Sequence, residues 1–382
     1  SETDKLDVFE ELADFLYGLT HLLSAEKDSL KFWQKSNDLK ELYRQHIRHG
    51  ITGHQKTLSI ADINKFLDAI IAKVDTGFGK AKYDNGLFAT YFYHEVTQFD
   101  VLDKGHQGEH HVMPLKFQRH DLPLFLEGFV YAMRVLDSRQ SVELFRAIKK
   151  SPIYDKKLGM YKVNADLSKQ TQEIGRTSVF PAGWLENESV WLHMEYKYLL
   201  ELLRNGLVNE FYEEIKTSLI PFMDPARYGR SILENSSFIV SSAHEDKNLH
   251  GQGFVARLSG STAEFLHMWL LMNIGIMPFS YVQGELNLSF APLLPGWIFT
   301  QKETKEFPVN TYAFKFLAKT LVVYHNPLRQ NTFGPKAVVP TKLIVTYGQG
   351  RQKIELNSSV IKGNLANEIR QGLISRIDII LG

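Results

Sequence analysis

Four stretches of this chain place chemistry-bearing residues among large apolar ones. The densest is PAGWLENESVWLHMEYKYLL, residues 181–200, which sets Glu186, Asn187 and Glu188 beside Trp184 and Trp191 and then runs into His193. Acids and imidazoles among apolar groups are costly unless they are paired or used. Asn187 reads as a helix N-cap, with Ser189, Val190 and Trp191 opening the helix. That helix is apolar on most sides, so it should be largely buried. Ser189, His193 and Lys197 recur every four residues and would share one stripe. Such a stripe either forms a satisfied core network or faces a cavity. Glu186 would precede it, near the positive end of the helix dipole.

The second stretch, RLSGSTAEFLHMWL, puts Ser259, Gly260, Ser261 and Thr262 just ahead of a helix. Helix N-termini offer unpaired amides to an anion, glycine allows close approach, and hydroxyls add donors. An ordinary capped helix start has the same composition. No Walker lysine signature is present, so nucleotide binding is not indicated.

The third, RYGRSILENSSFIVSSAHEDKNLHGQG, crowds Arg227, Arg230, Glu234, Asn235, Ser236 and Ser237 into a long polar loop. Sugar hydroxyls need donors and acceptors together, which Arg, Glu and Asn supply. A solvated loop is the other reading. The fourth, GLFATYFYHEVTQFD, offers Tyr91, Phe92, Tyr93, His94 and Glu95 for stacking on a sugar or for packing between helices. Beyond it, GHQGEHH gathers His106, Glu109, His110 and His111; the flanking glycines make this a loop, and a surface histidine cluster is expected rather than a metal site.

The elements that must position these residues divide into two textures. DKLDVFEELADFLYGLTHLL, DSLKFWQKSNDLKELYRQHI, SIADINKFLDAIIAKVDTGF, PLFLEGFVYAMRVL, SVELFRAIKK, VNEFYEEIKTSLIPFM and STAEFLHMWLLMNIG all have helical apolar spacing. SIAD is a capping box with a shorter acid, and Gly206 is placed to end the His193 helix. From about Ile276, YVQGELNLSF, AFKFLAKTLVVYH, TKLIVTYGQG, RQKIELN and SRIDIILG read as antiparallel strands. The expectation is a mostly α protein with a helical domain over 1–275 and a C-terminal β domain over 276–382. The helical part should form a bundle, solenoid or toroid, with no fixed-period repeat.

The 382 residues carry a net charge of +1, which gives no general field for nucleic acid or an acidic membrane. No apolar run is long enough to span a bilayer. The absence of cysteine rules out disulfides and thiolate metal sites and fits a cytoplasmic location. Ser1 is placed to cap the first helix, and so abrupt a start reads as a fragment of a longer protein.

Taken together, PAGWLENESVWLH and RLSGSTAEF resemble the cellobiose and chitobiose phosphorylase family, glycoside hydrolase family 94. The family carries a Pro-x-Gly-x-x-Glu-Asn block ending in histidine, matched by Pro181, Gly183, Glu186, Asn187 and His193. Its Leu-Ser/Thr-Gly-Thr-Ala block is matched by Leu258, Ser259, Gly260 and Ser261. The likeness is closest to large, multi-domain cellobiose phosphorylase-like members. It implies a partial (α/α)6 toroid and a jelly-roll-like β sandwich. It also implies a glycosyltransferase reaction: inverting phosphorolysis of a disaccharide or oligosaccharide β-glucoside to a sugar 1-phosphate. Inorganic phosphate is then a co-substrate, and no cofactor or metal is needed. His193, Ser259 and Gly260 would hold phosphate. Glu186 would lie by the sugar, with Asn187, Glu188, Arg230 and Glu234 as further substrate-binding candidates. A homodimer is common in the family.

Two departures bear on this. Leu185 stands where the family has lysine, so acceptor recognition must differ. The Asp-Trp-Asn-Asp block that holds the family's general acid is absent from this chain, and the phosphate-site arginine also lies upstream in the family. The resemblance therefore implies a C-terminal portion completed by an N-terminal part carrying the acid. The alternatives are an inverting hydrolase, with Glu188, Glu234 or Glu95 as base, and a non-catalytic carbohydrate-binding chain.

Overall fold

The computed structural model describes residues 5–105, 108–256, 259–348 and 352–382. Ser1, His106 and Leu258 lie outside the described residues. The chain divides into two compact units, Ser1–Asp84 and Asn85–Gly382.

The first unit contains β1 (Lys5–Phe9), α1 (Glu10–Ala25), α2 (Ser29–Arg48), β2 (Gln55–Ser59) and α3 (Ile60–Ala81). β1 and β2 pair antiparallel, Lys5 opposite Ser59 and Phe9 opposite Gln55. That ladder holds KLDVF extended, although its spacing would also suit a helix. Asp28 caps α2 by accepting from the Lys31 amide at 2.9 Å. The SIAD box forms: Ser59 Oγ accepts from the Asp62 amide at 3.1 Å, and the Ser59 amide donates back to Asp62 at 3.2 Å.

The second unit opens with a long antiparallel ribbon, β3 (Phe92–Lys104) and β4 (His110–Asp121). There follow α4 (Leu126–Met133), α5 (Ser138–Ile148), the short pair β5 (Tyr154–Asp155) and β6 (Met160–Tyr161), β7 (Val190–Trp191) and α6 (Leu192–Arg204). Next come α7 (Val208–Ser218), α8 (Pro225–Tyr228), β8 (Ser236–Ile239), β9 (Gly253–Ala256) and α9 (Ser259–Asn273). β7, β8 and β9 form one small sheet in that order. α6 lies at the centre and packs against α4, α7 and α9. Leu192, Tyr196, Tyr198, Leu199, Leu200, Leu202 and Leu203 are all buried, as a helix apolar on most sides requires.

The remaining chain supplies β10 (Phe279–Val282), β11 (Glu285–Ser289), β12 (Thr311–Phe316), β13 (Thr320–His325), β14 (Pro340–Tyr347), β15 (Lys353–Leu356), β16 (Val360–Lys362), α10 (Gly363–Gln371) and β17 (Ile374–Leu381). The main sheet runs β12-β13-β17-β14-β15, and β10-β11-β16 form a second. β13 and β17 are parallel, so the chain must cross over between them, and that crossover carries α10. Leu288, Phe299, Val322, Tyr324, Val345, Ile369 and Ile377 fill the core. The Tyr324 hydroxyl ties this core to the end of α9 through the Asn273 carbonyl at 2.6 Å.

The expected fold class is overturned. Of the described residues, 39% are helical and 27% in strands, spread over several small sheets and one mixed five-stranded sheet. This is neither a mostly α chain nor an (α/α)6 toroid with an antiparallel jelly roll. Two physical features account for the difference. Residues 92–104 and 110–121 are rich in aromatic and β-branched side chains and pair as a ribbon instead of filling a gap between helices. The C-terminal strands include a parallel pair that no jelly roll contains.

Among the described residues, no helix is long and apolar enough to cross a membrane.

Candidate functional site

The loop from Pro181 to Ser189 is locked from several sides. Gly183 has φ +76°, and a Cβ there would meet the His244 amide nitrogen at 2.6 Å, so only glycine fits. Trp184 packs against Phe254 and edge-on against Phe238, with ring centroids 4.7 and 5.2 Å away. Leu185 and Glu188 are held at positive φ, a conformation that costs energy and persists only where the surroundings fix it. The fixing bonds are visible. The Leu185 carbonyl accepts from Trp191 Nε1 at 2.6 Å and also from the Ser189 hydroxyl. Asn164 donates to the Glu186 carbonyl at 2.6 Å and accepts from the Glu188 amide at 2.7 Å. Lys162 and Glu188 form an ion pair at 2.5 Å.

Asn187 is not the helix cap. It is buried, accepts from the Leu167 amide at 3.3 Å and donates to the Phe180 carbonyl at 2.8 Å. Val190 and Trp191 are strand, paired with β8, and α6 begins at Leu192 without a side-chain cap. Ser189 therefore drops out of the helical stripe, leaving His193 and Lys197 one turn apart.

This scaffolding leaves Glu186 paired on one side only. One oxygen accepts from Arg176 NH2 at 2.7 Å. The other, Oε2, is buried and has no hydrogen-bond partner among the described residues. Glu188, by contrast, is committed to Lys162.

His193 sits in the first turn of α6, against the first turn of α9. A Cβ on Gly260 would lie 2.6 Å from His193 Nδ1 and 2.7 Å from its Cγ. The imidazole therefore rests on backbone that only glycine leaves bare. Its Nε2 stands 3.7 Å from Glu264 Oε1. Burial and the Lys197 ammonium hold His193 below the ordinary histidine range, against the opposing carboxylates Glu264 and Glu127. Glu127 accepts from the Tyr91 hydroxyl, and burial together with that bond pushes Tyr91 up to about 12. Thr262, on the same turn of α9, is bonded by Asn235 at 3.4 Å, and Asn235 accepts from the Tyr196 hydroxyl at 3.3 Å. Ser259 is the first residue of α9, so the hydroxyl-rich residues open the helix and do not form a turn before it.

The arrangement thus joins a neutral imidazole, the first turn of α9 and a lysine one turn along α6. A neutral imidazole supplies one donor, and helix amides and dipole favour an anion beside it.

The remaining candidates scatter. Arg230 donates to the Gly253 carbonyl at 2.8 Å and faces the exposed Glu234 at 3.8 Å. Glu95 lies on the β3–β4 ribbon, bonded to His120 at 2.9 Å. Glu188, Glu234 and Glu95, the candidate bases of a hydrolase, therefore sit in three separate settings. At the ribbon's end, His111 pairs with Asp103 at 2.6 Å, and His110 stands opposite Lys104.

Four residues at the site escaped the sequence reading: Arg176, Glu264, Glu127 and Asn164. Glu264 lies four residues after Gly260, a spacing that would have placed both on one helix face. Arg176 carried no linear signal, because an irregular loop brings it to Glu186.

No known family model and no curated protein matches the chain.

Proposed function

We propose that this chain contributes the phosphate-binding wall of an inverting glycoside phosphorylase acting on a β-glucoside. The observation that carries this reading is the contact of His193 with the glycine backbone at the start of α9. Phosphate would take donors from His193 and from the amides of Ser259 and Gly260. Lys197 would add charge. Glu186, one-quarter exposed and oriented by its Arg176 partner, would accept from a sugar hydroxyl.

In such a reaction, phosphate attacks the anomeric carbon opposite the departing oxygen while a carboxylic acid protonates that oxygen. Phosphate replaces the base-activated water of a hydrolase, so the wall need only concentrate and orient an anion. The acid is proposed to come from a segment outside these 382 residues.

The test is phosphate-dependent release of sugar 1-phosphate from disaccharide β-glucosides by the intact protein. His193→Ala should lower turnover by about 10²–10³, the usual cost of losing one preorganised donor. Equal sugar release with and without phosphate would sink the reading.

A further inference from the structure

A second polar cleft shares no lining residue with the His193 wall. The segment from Lys149 to Lys162 carries five lysines and a single acid, Asp155. Its β5–β6 turn folds four of those lysines, Lys150, Lys156, Lys157 and Lys162, onto an open cleft of about 570 Å³. Asp155 also lines the cleft, but lysines outnumber it, and an excess of one sign focuses the field and concentrates counter-ions.

The carboxylates nearby cancel only part of this charge. Lys162 is neutralised by Glu188 at 2.5 Å. Asp155 is buried and fixes the turn, accepting from the Ser242 amide and hydroxyl at 2.6 and 2.7 Å and from the Lys157 and Leu158 amides at 3.0 and 3.2 Å. Among the described residues, Lys150, Lys156 and Lys157 have no carboxylate partner. Asp246, on the loop that brings Ser242 here, is used to cap Asn248 at 2.9 Å.

One of these lysines is held in place. Lys157 Nζ lies 2.6 Å from His250 Nδ1, and His250 Nε2 lies 2.7 Å from the His244 carbonyl. A carbonyl only accepts, so Nε2 carries the hydrogen and Nδ1 accepts from the ammonium. The buried His250 thereby anchors Lys157 while spending only one of its three donors.

We propose that this cleft binds a small phosphate monoester. Ammonium groups act as compact point charges, suited to a tetrahedral dianion and without the planar fork that favours carboxylates. The volume falls in the range of small-molecule sites and exceeds what a bare ion needs. Tyr154, at the cleft wall, gives the ester's organic part an aromatic surface. This inference does not rest on the phosphorylase reading.

The test is calorimetric titration of the full chain in a His193→Ala background, which removes the other proposed anion wall. Glucose 1-phosphate, inorganic phosphate and glucose are the probes. Glucose 1-phosphate should bind and glucose should not. Lys156→Gln with Lys157→Gln should weaken binding about tenfold or more, as loss of charged hydrogen bonds does, with the thermal midpoint unchanged. His250→Ala should weaken it as well, by releasing Lys157. Inorganic phosphate binding as tightly as the ester would overturn the ester assignment, because Tyr154 would then contribute nothing to binding. Unchanged affinity in the double lysine variant, or no binding of either phosphate compound, overturns the proposal.

Discussion

The His193 imidazole occupies the space a side chain on Gly260 would need, with Nδ1 2.6 Å from the position of that missing Cβ. Two residues far apart in the chain are thus fitted to each other: one supplies a ring, the other the absence of a side chain.

Gly260→Ala separates site from stability. Gly260 is helical, where alanine is favoured over glycine by about 1 kcal/mol. The new methyl must nevertheless push His193 aside. The expected outcome is a thermal midpoint within a few degrees of the parent, together with the proposed phosphate affinity reduced about tenfold or more. Normal phosphate binding in a folded Gly260→Ala protein would show that the contact is packing alone.

Glu195 should make stability fall with rising pH. Its side chain is buried on α6; Oε1 accepts from the Tyr161 amide at 2.9 Å, and Oε2 has no hydrogen bond of good geometry among the described residues, the Ser218 hydroxyl lying nearby. Burial pushes it up to about 8 from an ordinary 4.5. The folded state holds the proton between those values while the unfolded state has released it. Stability is therefore complete below about pH 4.5 and declines until about pH 8, by on the order of 4 kcal/mol in all. Glu195→Gln should remove this slope and raise stability at pH 8, as read by urea unfolding across the range.

The Lys162–Glu188 pair is nearly buried, its side chains 11% and 12% exposed. Lys162→Met strands a carboxylate on a residue already held at positive φ and should cost about 3 kcal/mol. Adding Glu188→Gln should recover part of that loss, because no buried charge is left unpaired. A double-mutant cycle by denaturant unfolding measures the coupling, and additivity of the two changes would contradict it.

Asp378 in the C-terminal sheet shows the opposite pH dependence. Burial alone would raise it, but bonds from His325 at 2.7 Å and Arg376 at 2.6 and 2.7 Å overcome this and bring it down to about 2. Its contribution is present above pH 3.8 and lost as the pH falls toward 2. Asp378→Asn should cost about 1 kcal/mol at neutral pH, partial exposure limiting the effect. It should also flatten acid unfolding between pH 4 and 2.

Much of the helix content was legible in sequence because helical periodicity is local. The SIAD capping box and the all-round apolar character of α6 depend on residues within a few turns of each other. The site was legible as ingredients: His193, Gly260 and Glu186 stood out as residue types in improbable surroundings. Their local geometry was misread where long-range pairing prevailed. Val190 and Trp191 suit a helix start, yet β8 draws them into a ladder. Asn187 suits an N-cap, yet two backbone groups from distant turns claim it.

The sequence by itself determined which residues had to be paired or used, and which segments were strongly periodic. Only the tertiary structure decided the rest. It paired residues 92–104 with 110–121 as a ribbon and β13 with β17 in parallel, because strand partners are chosen by contacts far along the chain. It brought Arg176 to Glu186 across an irregular loop. It also set the His193 ring against Gly260, a fit that depends on how α6 and α9 pack and that no spacing within either helix encodes.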